Sequence, residues 1–408
     1  MKNTLHDSSQ LLHPTYQPPA GFVGLQQPVY RASTVVFKNM AAVAATTWQN
    51  KAGYTYGLHG TPATFLLEAQ LAALEGGNHC LLTSSGLSAL ALVDYALLKA
   101  GDEVLLPQNA YGPNIALAQH ELARFGISYQ LYDPLSAADV AAKISAKTKL
   151  LWLEAAGSVT MEFPDLLGII RVCRERGVIT ALDNTWGAGL AFNAFDINGS
   201  GVGVDITAHA LTKFPCGGAD VFMGSVVTRD AALHQRLTDC HMHAGYGVSG
   251  ADVALILRSL PSMPLRYAQH DATARQLATW LQQQPAVAQV LHPALAGSAG
   301  HSHWRAACVN AAQPGGMAAG LFSIVLRPHI SREQAHALCD ALRLFQIGYS
   351  WGGHASLVMH YDRAELGRRR SSKPQGELIR LYCGLEDAAD LQADWAQALA
   401  AQGLGAAA

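Results

Sequence analysis

The stretch HALTKFPCGG at 209–218 holds Lys213 and no other lysine, arginine or carboxylate. Lysine is almost never buried without a partner. Desolvated beside a strand end, it gains a lowered pKa and works as a nucleophilic amine; exposure at the surface is the commoner case for any one lysine. Three more places carry comparable chemistry. VITALDN at 178–184 ends an apolar run on Asp183, a carboxylate that needs a cationic or donor partner if buried and that otherwise caps a turn. LLTSSGLSAL at 81–90 reads as strand, turn and helix start, so the backbone N–H groups there can hold an anion such as phosphate or simply form a turn capped by Ser84 or Ser85. LIRLYCG at 378–384 sets Arg380 inside an apolar strand; arginine there suits bidentate carboxylate recognition or a structural ion pair.

The four together are more specific than any one. A phosphate cradle, a carboxylate for a ring nitrogen, a Schiff-base lysine and a carboxylate-binding arginine are what pyridoxal phosphate requires with an amino-acid substrate. Tyr111, in the turn QNAYGPN, offers an aromatic face to cover such a ring.

These residues need a scaffold. From 61 to 228, short apolar runs (HCLLT, EVLLP, ISYQLYD, KLLWLEAA, VITALDN, VDITAHALT, VFMGSVVT) alternate with helical patterns such as TPATFLLEAQLAALEGG, which has Pro62 in its first turn. Strands spaced by helices predict a mostly parallel sheet of the seven-stranded type with helices on both faces. Its ligand lies outside the carboxyl ends of the strands, where all four features fall. A long helical stretch from 250, with Pro261 and Pro264 as a kink, leads into LFSIVLRP, SREQAHALCDAL, SLVMHY, LIRLYCG and AADLQADWAQALAAQ, a smaller α+β unit. The expected division is an extended arm at 1–60, a large α/β domain at 61–260 and a C-terminal α+β domain at 261–408.

Bulk properties narrow the class. The 408 residues are 50% hydrophobic and 14% charged, with a formal net charge of −2, which allows a large core and gives no basic excess for nucleic acid. Arg368-Arg369-Arg370 reads as a solvated loop. Seven scattered cysteines without a C-x-x-C pattern fit reduced thiols rather than a disulfide framework. With no apolar leader and no run long enough for a bilayer, a cytoplasmic protein without membrane or nucleic-acid partners is expected.

From QPVYRASTVVF at 27 to about 398, the chain resembles the Cys/Met-metabolism family of pyridoxal-phosphate enzymes, of aspartate-aminotransferase fold type. YGLHGT, LEGG, AYGPN, LEAAGSVTMEFPD, DNTWGAG, TKF, YSWGG and LIRLYCGLED follow, in order and spacing, the pattern of its cystathionine β-lyase subfamily. The resemblance implies Lys213 as the Schiff-base lysine and Asp183 as partner of the pyridine nitrogen, with Tyr111 on the ring. It implies backbone N–H groups of Gly86 and Leu87 plus the Thr212 hydroxyl on the phosphate, and Tyr56 reaching a neighbouring subunit's site. Arg380 and Ser350 would hold the substrate α-carboxylate, flanked by Tyr349 and Trp351. It further implies β-elimination of L-cystathionine, a homo-oligomer built as a dimer of dimers, and no metal. Alternatives within the family are a broader cysteine-S-conjugate β-lyase, a γ-acting enzyme or a racemase; γ-acting relatives usually carry Glu where Tyr349 stands.

Three positions depart from the family pattern. Leu58, followed by His59, replaces the usual phosphate arginine; LEAAGS replaces LESPGS; and Cys216 lies near the lysine. GSGVGVD at 199–205 imitates a dinucleotide loop but precedes a strand. HMH at 241–243 and HSH at 301–303 lack the further ligands a catalytic zinc needs.

Overall fold

The computed structural model describes Gly21 and residues 24–362 and 375–405. Most of the proline-rich start and the Arg368–Arg370 run lie outside them.

Seven strands form the larger sheet: β1 (His79–Thr83), β2 (Glu103–Pro107), β3 (Ser128–Tyr132), β4 (Thr148–Glu154), β5 (Ile179–Asp183), β6 (Ile206–Ala210) and β7 (Gly224–Thr228). Their order is β1-β7-β6-β5-β4-β2-β3. The pairs among β2 to β6 are parallel, while β7 runs antiparallel to both β1 and β6. The connection from β6 to β7, residues 211–223, carries no helix to cross the sheet, and without a crossover helix the chain returns antiparallel, so β7 departs from an otherwise parallel sheet. Because β1 is antiparallel to β7, its carboxyl end joins those of β2, β4, β5 and β6 on one edge.

Side-chain alternation builds a core on each face. Leu81, Val104, Leu106, Leu150 and Trp152 enter one core; Cys80, Leu82, Leu105, Leu151 and Leu153 enter the other. Helix α1 (Pro62–Glu75) starts on a Thr61–Thr64 capping box with Pro62 at its first position and stops at Gly76, which has φ +80°. It shares a core with α3 (Leu166–Arg176), and α2 (Gly86–Leu97) covers the opposite face.

The expected kink is a 3₁₀ turn at Leu260–Ser262 between α4 (Gly250–Ser259) and α5 (Met263–Leu281). Beyond it, β8 (Val287–Leu291), β9 (Leu321–Leu326), β10 (Gln346–Ile347), β11 (Leu357–Tyr361) and β12 (Leu378–Tyr382) form a second sheet, in the order β10-β11-β12-β9-β8. β8, β10 and the helix His301–Cys308 were not legible as elements in the sequence. β8 buries only part of a five-residue run, and β10 is two exposed residues long. Ile379 and Leu381 face α5 and α6 (Ala388–Ala401), whereas Leu378 and Tyr382 face the core of the large sheet. The period of two therefore turns Arg380 toward the large sheet.

The discounted motifs have structural places. Gly199 and Gly201 take left-handed turns before β6. His241 contacts the Leu82 carbonyl through Nε2 at 2.7 Å, and His301 contacts the Pro293 carbonyl through Nδ1 at 2.8 Å. Among the described residues no cluster of three or more His, Cys, Asp or Glu is arranged to hold a metal. All seven cysteines are free.

Candidate active site

A cavity of about 530 Å³ opens at the carboxyl edge of the large sheet. Strand ends and one loop of the second unit bring its walls together. β1 leads through Ser85 into Gly86 and Leu87; β2 leads to Tyr111; β5 ends on Asp183; β6 leads to Thr212 and Lys213; and the 349–351 loop adds Tyr349, Ser350 and Trp351 opposite Arg380. Ten of the eleven sequence-predicted site residues thus line one cavity. Tyr56 does not line it: its hydroxyl accepts a hydrogen bond from Ser33 Oγ at 2.9 Å, on a half-exposed part of the arm.

Lys213 Nζ donates to Ser350 Oγ at 2.7 Å and lies 5.5 Å from the centre of the Trp351 ring. Burial and the neighbouring Arg380 cation bring its pKa down to about 8, against the pull of Asp183. The loop that contacts it is tightly constrained. Ser350 has φ +77°, a left-handed conformation rare without glycine. Gly352 has φ +93°, and a Cβ there would lie 2.7 Å from Lys213 Cα. Arg380 donates from Nη2 to the Ser350 carbonyl at 3.2 Å and stacks 5.2 Å above the Tyr361 ring. Burial lowers its pKa from the ordinary value, while Tyr361 and Tyr349 oppose the shift.

Asp183 accepts the Thr185 backbone N–H on Oδ1 at 3.0 Å. Burial raises its pKa, opposed by Thr185 and by the charges of His209 and Lys213. Tyr111 is set by its own N–H, which donates to Glu154 Oε2 at 2.6 Å. Its hydroxyl pKa is raised by burial and by Asp183 and Glu154. The helix it precedes is irregular: Gly112–Ala116 passes into a wider π turn at Leu117–Leu122.

The residues fit pyridoxal phosphate. Gly86 and Leu87 are the first residues of α2, and such N–H groups have no partner within a helix. Ser85 is the N-cap and closes a capping box with Ser88, leaving the two N–H groups before Ser88 at the cavity. A Cβ on Gly86 would lie 2.4 Å from the Ala210 methyl, so only glycine lets this helix start lie against β6. Thr212 Oγ1 sits 3.4 Å from both the Met223 nitrogen and carbonyl oxygen, long contacts that leave its hydroxyl able to turn to an anion. Lys213 lies at the same mouth, with a lowered pKa and its amine donating to Ser350 Oγ.

Leu58 and His59 line a different cavity, on the other side of α1, with Lys51, Glu68 and His241. His59 Nδ1 is 2.6 Å from Thr55 Oγ1, and burial lowers its pKa. Within its own chain it does not reach the Lys213 cavity. Sequence reasoning missed Glu154, Thr185, His209, Phe222 and Tyr361 as cavity residues. Glu154, Thr185 and His209 each adjoin a motif singled out, at strand ends where alternation alone gives the facing. Phe222 and Tyr361 had no local signal.

A family model described as Cys/Met metabolism PLP-dependent enzyme matches residues 8–400. The chain is similar to a cystathionine beta-lyase of Bordetella avium, 37% identical over 94% of each chain. It is also similar to the cystathionine beta-lyase MetC of Escherichia coli (strain K12), 34% identical over 90% of this chain and 91% of that one. Among solved structures, a cystathionine gamma synthase from Xanthomonas oryzae pv. oryzae in complex with cystathionine aligns with TM-score 0.82 and 29% identity, covering 93% of this chain and 94% of that one.

Proposed function

The chain belongs to the Cys/Met-metabolism family of PLP-dependent enzymes, and from that membership we propose that it is a carbon–sulfur lyase acting on L-cystathionine. The reaction is a β-elimination: the Cβ–S bond breaks, homocysteine leaves as its thiolate, and the remaining three carbons and nitrogen are hydrolysed by one water to pyruvate and ammonia. The observation that carries the reading is the convergence of Lys213, Asp183 and Arg380 on one cavity, beside cystathionine β-lyase relatives at 34–37% identity over most of their length.

Pyridoxal phosphate, when bound, supplies an electron sink conjugated to the substrate Cα. Gly86, Leu87 and Thr212 would hold its phosphate, Asp183 its ring nitrogen, Tyr111 its ring face and Lys213 its carbonyl carbon. The remaining work belongs to the chain's own side chains. Arg380 holds the substrate α-carboxylate through its guanidinium, helped by the Ser350 hydroxyl, and so fixes which Cα bond faces Lys213. Lys213 Nζ, with a pKa of about 8, is partly unprotonated near neutral pH and removes the Cα proton. Ser350 Oγ keeps that amine in place at 2.7 Å. Tyr349 and Trp351 present uncharged aromatic faces at the mouth, where a carboxylate would offer a second base for γ-chemistry.

We assign 1–60 as an arm, 61–260 as the cofactor domain and 261–408 as the C-terminal domain. Assembly as a dimer of dimers accords with the exposed Val36, Met40 and Tyr56 of the arm, which Tyr56 would carry to a neighbour's site. A cytoplasmic location accords with seven free cysteines; among the described residues no helix is long and apolar enough to cross a membrane.

The test is a substrate panel on the purified enzyme, scored for pyruvate, 2-oxobutyrate and loss of optical purity. Pyruvate with equimolar homocysteine from L-cystathionine is the expected result. Predominant 2-oxobutyrate, or racemisation without a keto acid, would replace the reading.

A further inference from the structure

The helix Arg332–Asp340 starts on a Ser331–Gln334 capping box and buries Ala335, Leu338 and Cys339. His336 and Asp340, four residues apart and so on one face of that helix, are exposed. On β11, period two puts His360 on the side of Val358, which packs in one core with Leu338 and Cys339, whereas Tyr361 turns to the core of the large sheet. The helix therefore lies over the His360 side of β11. His336 Nε2 comes 3.2 Å from His360 Nδ1, with the two rings at 78°. The other nitrogen of His360, Nε2, lies 2.7 Å from Glu377 Oε2. Glu377 directly precedes β12, the strand paired with β11. His336, Asp340 and His360 line a cavity of about 460 Å³, and Tyr349 and Tyr361 line both it and the Lys213 cavity.

Imidazole nitrogen suits zinc, copper and nickel, whereas magnesium and calcium take oxygen. Two nitrogens on one tetrahedral zinc, each at about 2.0–2.1 Å, stand about 3.3–3.4 Å apart. The 3.2 Å between His336 and His360 is a small ring rotation from that spacing. A ligating histidine commonly gives its second nitrogen to a carboxylate, which orients the ring and strengthens it as a donor. Glu377 stands at that place behind His360. Among the described residues no third His, Cys, Asp or Glu is already arranged with the pair. Water from the cavity, and Asp340 after a change of rotamer, would fill the remaining positions. Such a site is weaker than one closed by four protein ligands.

We propose that His336 and His360 form an exchangeable site for one divalent transition-metal ion of the zinc type, with Glu377 orienting His360 from behind. The ion takes Nε2 of His336 and Nδ1 of His360, and the hydrogen of His360 stays on Nε2, facing Glu377. The site joins a helix and a strand of the second sheet, apart from Lys213, Asp183 and Arg380. It does not depend on which substrate the Lys213 cavity takes.

The experiment titrates holoenzyme with zinc chloride in chelator-free buffer, followed by calorimetry. The wild type is expected to bind one ion per chain at this site, and excess magnesium leaves the titration unchanged. Glu377→Gln keeps both rings and is expected to weaken zinc binding by about tenfold to a hundredfold, the usual cost of losing an outer carboxylate. His336→Gln and His360→Gln each remove a ligand and weaken it at least as much. If His360→Gln fails to fold, the exposed His336 carries the test alone. Zinc affinity equal in wild type and His336→Gln would overturn the proposal by placing the ion elsewhere. No binding by the wild type at millimolar zinc would overturn it too, leaving the two rings joined by a plain N–H···N bond. Displacement of zinc by magnesium would reject an imidazole site.

Discussion

Lys213 combines an amine with a setting that lowers its proton affinity. Burial and Arg380 act in the same direction, and Asp183 opposes them. In apo protein, acylation of Lys213 by an amine reagent is therefore expected to rise with pH around a midpoint of about 8, well below the range of an exposed lysine. Peptide mapping of the labelled residue at several pH values checks this, and a midpoint in the ordinary lysine range would reject the local electrostatics. Arg380 faces a different demand, since every amino-acid substrate shares the α-carboxylate. Arg380→Ala is expected to raise KM by about tenfold to a hundredfold for cystathionine and for shorter S-conjugates alike, the loss of a charge-assisted hydrogen-bond pair. A loss confined to cystathionine would move Arg380 to the distal end of the substrate.

At the scale of elements, the site depends on strand ends held still by helices behind them. One such junction joins α2, which starts at the phosphate cradle, to β4. Asp94 of α2 is buried and accepts the Trp152 indole N–H at 2.8 Å. Burial raises its pKa to about 7, against the help of that bond. A carboxyl whose folded pKa lies above its unfolded value favours folding below the unfolded value, and that contribution is lost as pH rises toward about 7. Asp94→Asn keeps an acceptor for Trp152 and removes the titration. It is expected to raise stability above pH 7 by at most a few kcal/mol, seen as a higher Tm, with the gain shrinking toward pH 4. Thermal melts of both proteins across that range decide it; a gain independent of pH would assign the effect to something other than ionisation.

At the scale of the molecule, Tyr56 and Lys213 are parts of one chain that do not meet in it. Tyr56 stays with Ser33 on the arm, outside the Lys213 cavity. If Tyr56 serves a neighbour, a Tyr56→Ala chain and a Lys213→Ala chain, each inactive, complement one another. Random re-pairing in equal amounts places both wild-type residues in about a quarter of the sites, as expected for an isologous dimer. Activity returning to about that fraction after mixing through the unfolded state is the expected outcome. No recovery, with hybrid dimers verified by mass, would place Tyr56 outside the shared site.

Local order in the chain determined much of this protein. Apolar runs spaced by helices specified a mostly parallel sheet, because a crossover of that length returns a strand in the same direction. Strand ends then locate Asp183, Lys213 and the Ser85–Gly86 helix start from the sequence alone, since ligands of such sheets sit at that edge. Period-two alternation also fixed which neighbours of Arg380 face inward. What alternation could not decide was which surface Arg380 meets. Packing of the second sheet on the core of the first, through Leu378 and Tyr382, brings it to Lys213. β7 turned antiparallel and β8 formed from five unremarkable residues, both because pairing depends on partners distant in sequence. The same holds for Glu75, His209 and Asn184: 134 residues separate the first two, and only the packing of α1 behind β5 and β6 makes them one hydrogen-bonded network.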